Sequence, residues 1–278
     1  MTSSPACGAR RPLRRMTRLS RMARLPLPAV VLTVVLSGCA FFASSYAPNP
    51  SIVEAEENLA TVATIREEER WIVLEPKAAV LRRATEAGEA PVAGIIFYPG
   101  GKVSPRSYLP LFREIVAEGY LVYIVKMPLD LAVMDVDRAL SAIEAAGSMD
   151  RGPGTWHIVG HSLGGAMAAQ LVDRNPEVFA GLTMLASYPA GGVDLTDDDV
   201  AVLSVYGTRD GVADVEAIQA AADQYPADAE FVAIAGANHA GFGVYGPQED
   251  DLPATISGEE QRAVTQRAML EHFRRIGG

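Results

Sequence analysis

The chain has 278 residues, 49% apolar and 21% charged, a composition that excludes a disordered, collagen-like or disulfide-stapled protein. Its formal net charge of −10 is unevenly spread: residues 1–38 hold seven arginines and no acid, leaving 17 basic against 34 acidic residues in the other 240. A body that acidic repels phosphate backbones and anionic lipid, so no nucleic-acid partner is expected.

The arginine-rich start runs into Leu25–Leu36, LPLPAVVLTVVL. About a dozen apolar residues are too few to span the ~30 Å hydrocarbon layer as a helix. A basic stretch followed by a short apolar one reads as an export signal. Next comes Leu36-Ser37-Gly38-Cys39, which resembles the bacterial lipobox. That resemblance implies that residues 1–38 are removed and that Cys39 is lipid-modified. The mature protein would then be anchored to the cell membrane, facing away from the cytoplasm. Starting at Met16 or Met22 would keep both features. The cysteines are Cys7 and Cys39 only, so the mature chain is expected to have no disulfide, no cysteine nucleophile and no cysteine metal site.

Residues 39–60 read as a tether followed by a short helix, and 61–278 as one α/β domain. Thr61–Glu67 and Arg70–Glu75 form an expected antiparallel hairpin. Residues 76–91 read as a surface loop, with a short strand at Ala79–Leu81. Strands are expected at Ala93–Tyr98, Leu121–Lys126, Trp156–Val159, Leu182–Ala186, Val200–Tyr206 and Glu230–Ile234. Helical spacing marks Tyr108–Glu118, Leu131–Ala146, Ser162–Arg174, Val215–Gln224 and Gly258–Arg275. Short continuous apolar strands alternating with helices predict a mostly parallel sheet covered by helices on both faces.

The segment Trp156–Gly165, WHIVGHSLGG, is a strand, a G-x-S-x-G turn and a helix start. The five-residue pattern alone is weak. In this context it marks a sharp turn that presents Ser162 as a nucleophile at a helix N-terminus. A serine hydroxyl needs a base, and the base needs an orienting acid. His239 lies in a glycine-rich loop after the last strand and is the expected base. His157 reads as a packed strand residue, His161 as a local packing or bonding residue, and His272 as part of a solvated helix face. Asp210, in YGTRDG after the penultimate strand, is the expected acid. Its rivals Asp194, Asp197, Asp198 and Asp199 read as a solvated helix cap. Two backbone N–H groups should stabilise an oxyanion: Leu163, and Gly101 in the PGGK loop, with Lys102 as the second choice. Tyr98 and Tyr188 sit at strand ends where they can line a pocket or simply pack.

Together these residues resemble the α/β-hydrolase superfamily, over roughly Thr61 to Arg275. More narrowly, FYPGGKV, KMPLDLAV, VGHSLGGAMAA, ASYPA, YGTRDG, and NHAGFGVYGPQ with PATIS resemble a bacterial family distantly similar to dienelactone hydrolases. The resemblance implies the α/β-hydrolase fold and a serine esterase-like triad acting on a small-molecule acyl substrate. It does not imply dienelactone hydrolysis, because those enzymes use a cysteine where this chain has Ser162. Only Tyr188–Asp199 precedes the next strand, so no lid domain and an open site are expected, with residues 243–257 walling one side. No metal cluster, phosphate loop or dinucleotide fingerprint is seen, and no cofactor is expected. Two other readings of the same pattern are a non-catalytic surface binding protein and an acyltransferase.

Overall fold

A computed structural model describes residues 45–87, 93–147 and 154–276. The signal segment and Cys39 lie outside the described residues. Eight strands form one sheet in the order β1-β2-β4-β3-β5-β6-β7-β8. They are β1 Ala63–Glu67, β2 Trp71–Pro76, β3 Ala93–Tyr98, β4 Leu121–Val125, β5 Thr155–His161, β6 Gly181–Leu185, β7 Ala201–Gly207 and β8 Glu230–Ile234. β1 pairs antiparallel with β2, and β2 with β4; every pairing from β4 through β8 is parallel.

The helices are α1 Ile52–Leu59, α2 Ala78–Ala87, α3 Arg113–Ala117, α4 Arg138–Gly147, α5 Leu163–Arg174, α6 Val215–Ala220 and α7 Gly258–Ile276. Strand alternation divides the core in two. Ile95, Phe97, Val159 and Leu203 pack with Leu59 of α1, Ile115 of α3 and Met269 and Phe273 of α7. Ile96, Ile158, Leu182 and Val202 pack on the other face with Ala139 and Ala142 of α4 and Ala169 and Leu171 of α5. The central strands β3 and β5 are buried along nearly their whole length, as a sheet covered on both faces requires.

Chain direction reverses between β3 and β5: the chain passes from β3 outward to β4, and from β5 the other way to β6. The crevice beyond the carboxyl ends of two such strands is where open α/β sheets bind ligands. Here it is bordered by the Pro99–Lys102 loop and by Ser162.

Some expected elements differ. The 76–91 loop with its strand at Ala79–Leu81 is instead α2 over its described part. AAVLRRATEA is mostly strong helix formers (Ala, Leu, Arg, Glu), and Val80 is buried. The helix expected at Tyr108–Glu118 is a 3₁₀ stretch, Pro105–Phe112, followed by α3; Pro110 lacks the N–H a regular α-helix needs there. The helix expected at Leu131–Ala146 splits into a turn at Ala132–Met134 and α4, with the non-helical backbone of Asp135 between them. The acids at 194–199 cap no helix, since β7 follows them. Asp194 instead accepts hydrogen bonds from the Thr196 N–H and hydroxyl, which lower its pKa.

Candidate active site

Ser162 stands between β5 and α5 with φ 53° and ψ −125°, a left-handed backbone unusual for a non-glycine residue. The turn around it leaves no room for side chains. A Cβ on Gly160 would lie 2.5 Å from the Gly164 carbonyl oxygen, and one on Gly164 would lie 2.2 Å from that of Tyr98. Both glycines are therefore required by close backbone approach. Hydrogen bonds hold the serine's own backbone: Ser162 N–H donates to Leu185 O at 2.9 Å, and Ser187 Oγ donates to Ser162 O at 2.7 Å. Strain at this point is over-determined by its surroundings, as a persistent outlier must be.

Asp210 and His239 come together from the loops after β7 and β8. His239 Nδ1 lies 2.8 Å from Asp210 Oδ2, and both side chains are sealed from solvent. The other carboxylate oxygen, Oδ1, accepts the backbone N–H groups of Val212 at 2.9 Å and Ala213 at 2.7 Å. An ionised Asp210 is acceptor-only, so His239 Nδ1 carries the proton toward it. His239 Nε2 is buried and has no partner, which leaves it as a lone-pair acceptor. Ser162, Asp210 and His239 thus all follow the carboxyl ends of parallel strands, along one edge of the sheet.

His161, adjacent to Ser162, ties the site together. Its Nε2 donates to the His239 carbonyl at 3.2 Å, which makes Nδ1 the acceptor of the Tyr108 hydroxyl at 2.8 Å. Tyr108 Oη in turn accepts the Gly100 N–H at 3.1 Å. The His161 and His239 rings lie 4.7 Å apart. Burial, with His239 nearby, holds the His161 pKa well below the usual value. It is a neutral structural imidazole, joining the Gly100 loop to the His239 loop.

Of the two amides considered after Gly100, Lys102 N–H is already committed to Asp130 O at 2.7 Å. Gly101 N–H has no intramolecular partner among the described residues. Leu163 is the first residue of α5, where helix geometry supplies no acceptor. These two residues are neighbours: a Cβ on Gly101 would approach Leu163 Cδ2 to 3.1 Å. Tyr98 is fully buried; its hydroxyl donates to Val136 O at 2.5 Å and accepts Ala139 N–H at 2.9 Å. Tyr188 is 40% exposed.

One residue escaped sequence reasoning. Asp251, in the loop after β8, accepts Gly211 N–H at 3.1 Å and His239 N–H at 3.2 Å on Oδ1, and Ala240 N–H at 2.8 Å on Oδ2. It fastens the Asp210 loop to the His239 loop. Residues 243–257 therefore carry a backbone clamp as well as bordering the site. His272 is also corrected: it is buried, not solvated, and its Nδ1 lies 2.9 Å from Glu230 Oε1. The helix face that carries it turns toward β8.

The connection from β6 to β7, residues 186–200, contains no helix. A groove of about 710 Å³ between α1 and α7 is lined by Glu54, Arg113 and Arg262 but by none of the three residues above. Among the described residues no cluster of three or more His, Cys, Asp or Glu side chains is arranged to hold a metal. No described helix is long and apolar enough to cross a membrane.

A family model described as "Alpha/beta hydrolase family" matches residues 94–263, more than half the chain. The chain belongs to the alpha/beta hydrolase family. Solved structures of similar fold include a predicted CIB-like hydrolase from Thermoplasma acidophilum, 16% identical, with a TM-score of 0.53 over 75% of this chain and 99% of that one. Est1E from Butyrivibrio proteoclasticus is 15% identical with a TM-score of 0.51, covering 76% and 98%. The esterase domain of a Rhodothermus marinus protein is 14% identical with a TM-score of 0.54, covering 78% and 98%. No curated protein sequence matches. At these identities the structural likeness speaks for the alpha/beta hydrolase fold. The family match spans β3 through the start of α7, so it includes Ser162, Asp210 and His239.

Proposed function

We propose that this alpha/beta hydrolase cleaves carboxylic esters through a Ser162–His239–Asp210 triad and an acyl-enzyme, and that a lipid on Cys39 anchors it outside the cytoplasm. The observation that carries the catalytic reading is the sealed 2.8 Å bond between His239 Nδ1 and Asp210 Oδ2, with Nε2 left unpartnered on the edge that bears Ser162. Solved esterases of the same fold support the choice of ester substrates.

In this reading Ser162 Oγ attacks the ester carbonyl while His239 Nε2 takes its proton. Asp210 fixes the tautomer and stabilises the imidazolium. The oxyanion is met by the Leu163 and Gly101 N–H groups at the positive end of α5. The imidazolium then protonates the departing alcohol, leaving an acyl group on Ser162. Water, deprotonated by His239, hydrolyses that ester and restores the enzyme.

A fluorophosphonate probe should label the protein at Ser162, and Ser162→Ala should lose both labelling and ester turnover. Full turnover by that variant would overturn the triad. For the anchor, mass spectrometry of membrane-extracted protein should find an N-terminus at Cys39 with added acyl mass; an unmodified N-terminus elsewhere would overturn it.

A further inference from the structure

We propose that the active-site edge of the domain docks on the surface of the phospholipid bilayer, and that the hydrolysed ester is drawn from that bilayer. This rests on the hydrolase and lipid-anchor readings above, and it adds an orientation and a substrate class: acyl esters of membrane amphiphiles.

The first observation is where the tether meets the domain. Ser45 Oγ donates to Asp130 Oδ2 at 2.5 Å, and Tyr46 pairs with the strand-like backbone beside the Gly101 loop. Tyr46 N–H donates to Lys102 O at 2.6 Å, and Ser104 N–H donates to Tyr46 O at 3.0 Å. The chain is therefore fastened next to the expected oxyanion loop, on the edge that carries the triad. Only Ala40, Phe41, Phe42, Ala43 and Ser44 separate Cys39 from Ser45. Fully extended, that length reaches about 20 Å. A lipid on Cys39 would hold this edge close to the membrane, by a linker that is itself apolar and uncharged.

The second observation concerns exposed apolar side chains. Among the described residues eight large ones are exposed. Six of them, Leu129, Val133, Met134, Tyr188, Val212 and Leu252, lie on loops that follow β4, β6, β7 and β8. These strands are parallel, so all four loops leave the sheet at the tether's edge. Val133 and Met134 are each 55% exposed, on the short turn that packs beside α5. Leu129 is held exposed by a left-handed backbone that its branched side chain disfavours, and the next residue, Asp130, is pinned by Ser45 and by Lys102 N–H. Leu81 is exposed at the opposite edge, after β2. Leu129, Val133 and Met134, three of the six, share the one loop after β4, and that concentration beside the tether carries the docking.

The occupant is a bilayer entered by apolar side chains, not one held by charge. The mature chain is too acidic for attraction to anionic lipid. Docking should therefore favour phosphatidylcholine and change little with salt.

The full lipidated chain, reconstituted in phosphatidylcholine vesicles, tests this. A fluorophore on Met134→Cys should be quenched several-fold more by nitroxide-bearing lipids than one on Leu81→Cys. Equal quenching at the two positions would overturn the docking. The double variant Val133→Glu/Met134→Glu should hydrolyse a long-chain ester held in the vesicles at least tenfold more slowly, with turnover of a water-soluble short-chain ester unchanged. Equal effects on both esters, including no effect on either, would also overturn it. Failure of the underlying readings looks different: Ser162→Ala with full turnover of the soluble ester removes the hydrolase, and an unmodified Cys39 removes the anchor, whatever the quenching shows.

Discussion

His239 Nδ1 and Asp210 Oδ2 lie 2.8 Å apart with neither side chain exposed to water. A carboxylate in that setting sets the imidazole tautomer and cannot be replaced by solvent. Asp210→Asn should therefore lower kcat by about 10³–10⁴, the scale for loss of a triad's orienting acid. Asp194→Asn and Asp197→Asn, on exposed loop positions, should leave it unchanged. On the proposed triad the three groups act as one unit, so Ser162→Ala/His239→Ala should be hardly slower than either single variant. Steady-state kinetics on a short-chain ester, with circular dichroism to check folding, decides both points. A normal rate for Asp210→Asn would remove it as the acid.

The Asp251 clamp gives a second expectation. Its carboxylate receives three backbone N–H groups from two loops. Hydrogen bonds to a charged acceptor contribute about 1.5–3 kcal/mol each, and removing the acceptor leaves the amides without a partner. Asp251→Ala should displace the His239 loop and lower kcat about 10–100-fold, a change of about 1.4–2.8 kcal/mol in barrier. Asp251→Asn, which keeps one acceptor oxygen, should fall between. A wild-type kcat in Asp251→Ala would show that the loops keep their register without it.

These two aspartates mark how far the sequence could be read. Asp210 was legible because it directly follows an apolar strand in a glycine-flanked loop. Asp251 was not: it stands in the acidic run Glu249-Asp250-Asp251, which by pattern is a solvated loop. Its amide partner at Gly211 is 40 positions away, and only folding brings them together. The same limit applies to His272, whose burial depends on which helix face meets Glu230. Strands β3 and β8 match their expected ends to the residue, since short apolar runs between turn residues leave little freedom. α2 differs from the expected loop because its apolar residues, Val80, Leu81 and the alanines, are mostly small, a faint periodicity in a stretch that reads as surface. The glycines on either side of Ser162 are what make that turn visible in the sequence, and their close contacts explain why the pattern has that spacing.

Tyr108 is expected to matter for stability more than for chemistry. Its hydroxyl donates to His161 Nδ1 and accepts from Gly100 N–H, entirely buried. Tyr108→Phe keeps the ring contacts with Phe97 and Tyr245 but leaves a buried acceptor and a buried donor unpaired. Such groups cost about 1–3 kcal/mol. For a domain of this size that corresponds to about 2–12 °C in Tm. Differential scanning calorimetry would measure it. An unchanged Tm would mean that water enters and replaces the hydroxyl.

Two buried histidines other than His239 predict an acid-side loss of stability. His157 stacks on Phe273 at 5.0 Å with both ring nitrogens unpartnered, and burial pushes its pKa down to about 4. Burial also lowers His272, against the opposing pull of Glu230. In the unfolded chain both should titrate near the ordinary value of about 6.5. Below that pH the unfolded state binds more protons than the folded one, so protonation favours unfolding. The full stability is present above about pH 6.5 and is lost as pH falls toward 4. Each pH unit across that window costs about 1.4 kcal/mol for His157, or about 3 kcal/mol by pH 4. His157→Leu removes the titrating group and its two unpartnered nitrogens while keeping an apolar side chain in the core. Urea unfolding at pH 7.5 and pH 4.5 should show a smaller drop in midpoint for the variant than for the wild type. Equal drops in the two proteins would show that His157 is not what makes the fold acid-sensitive.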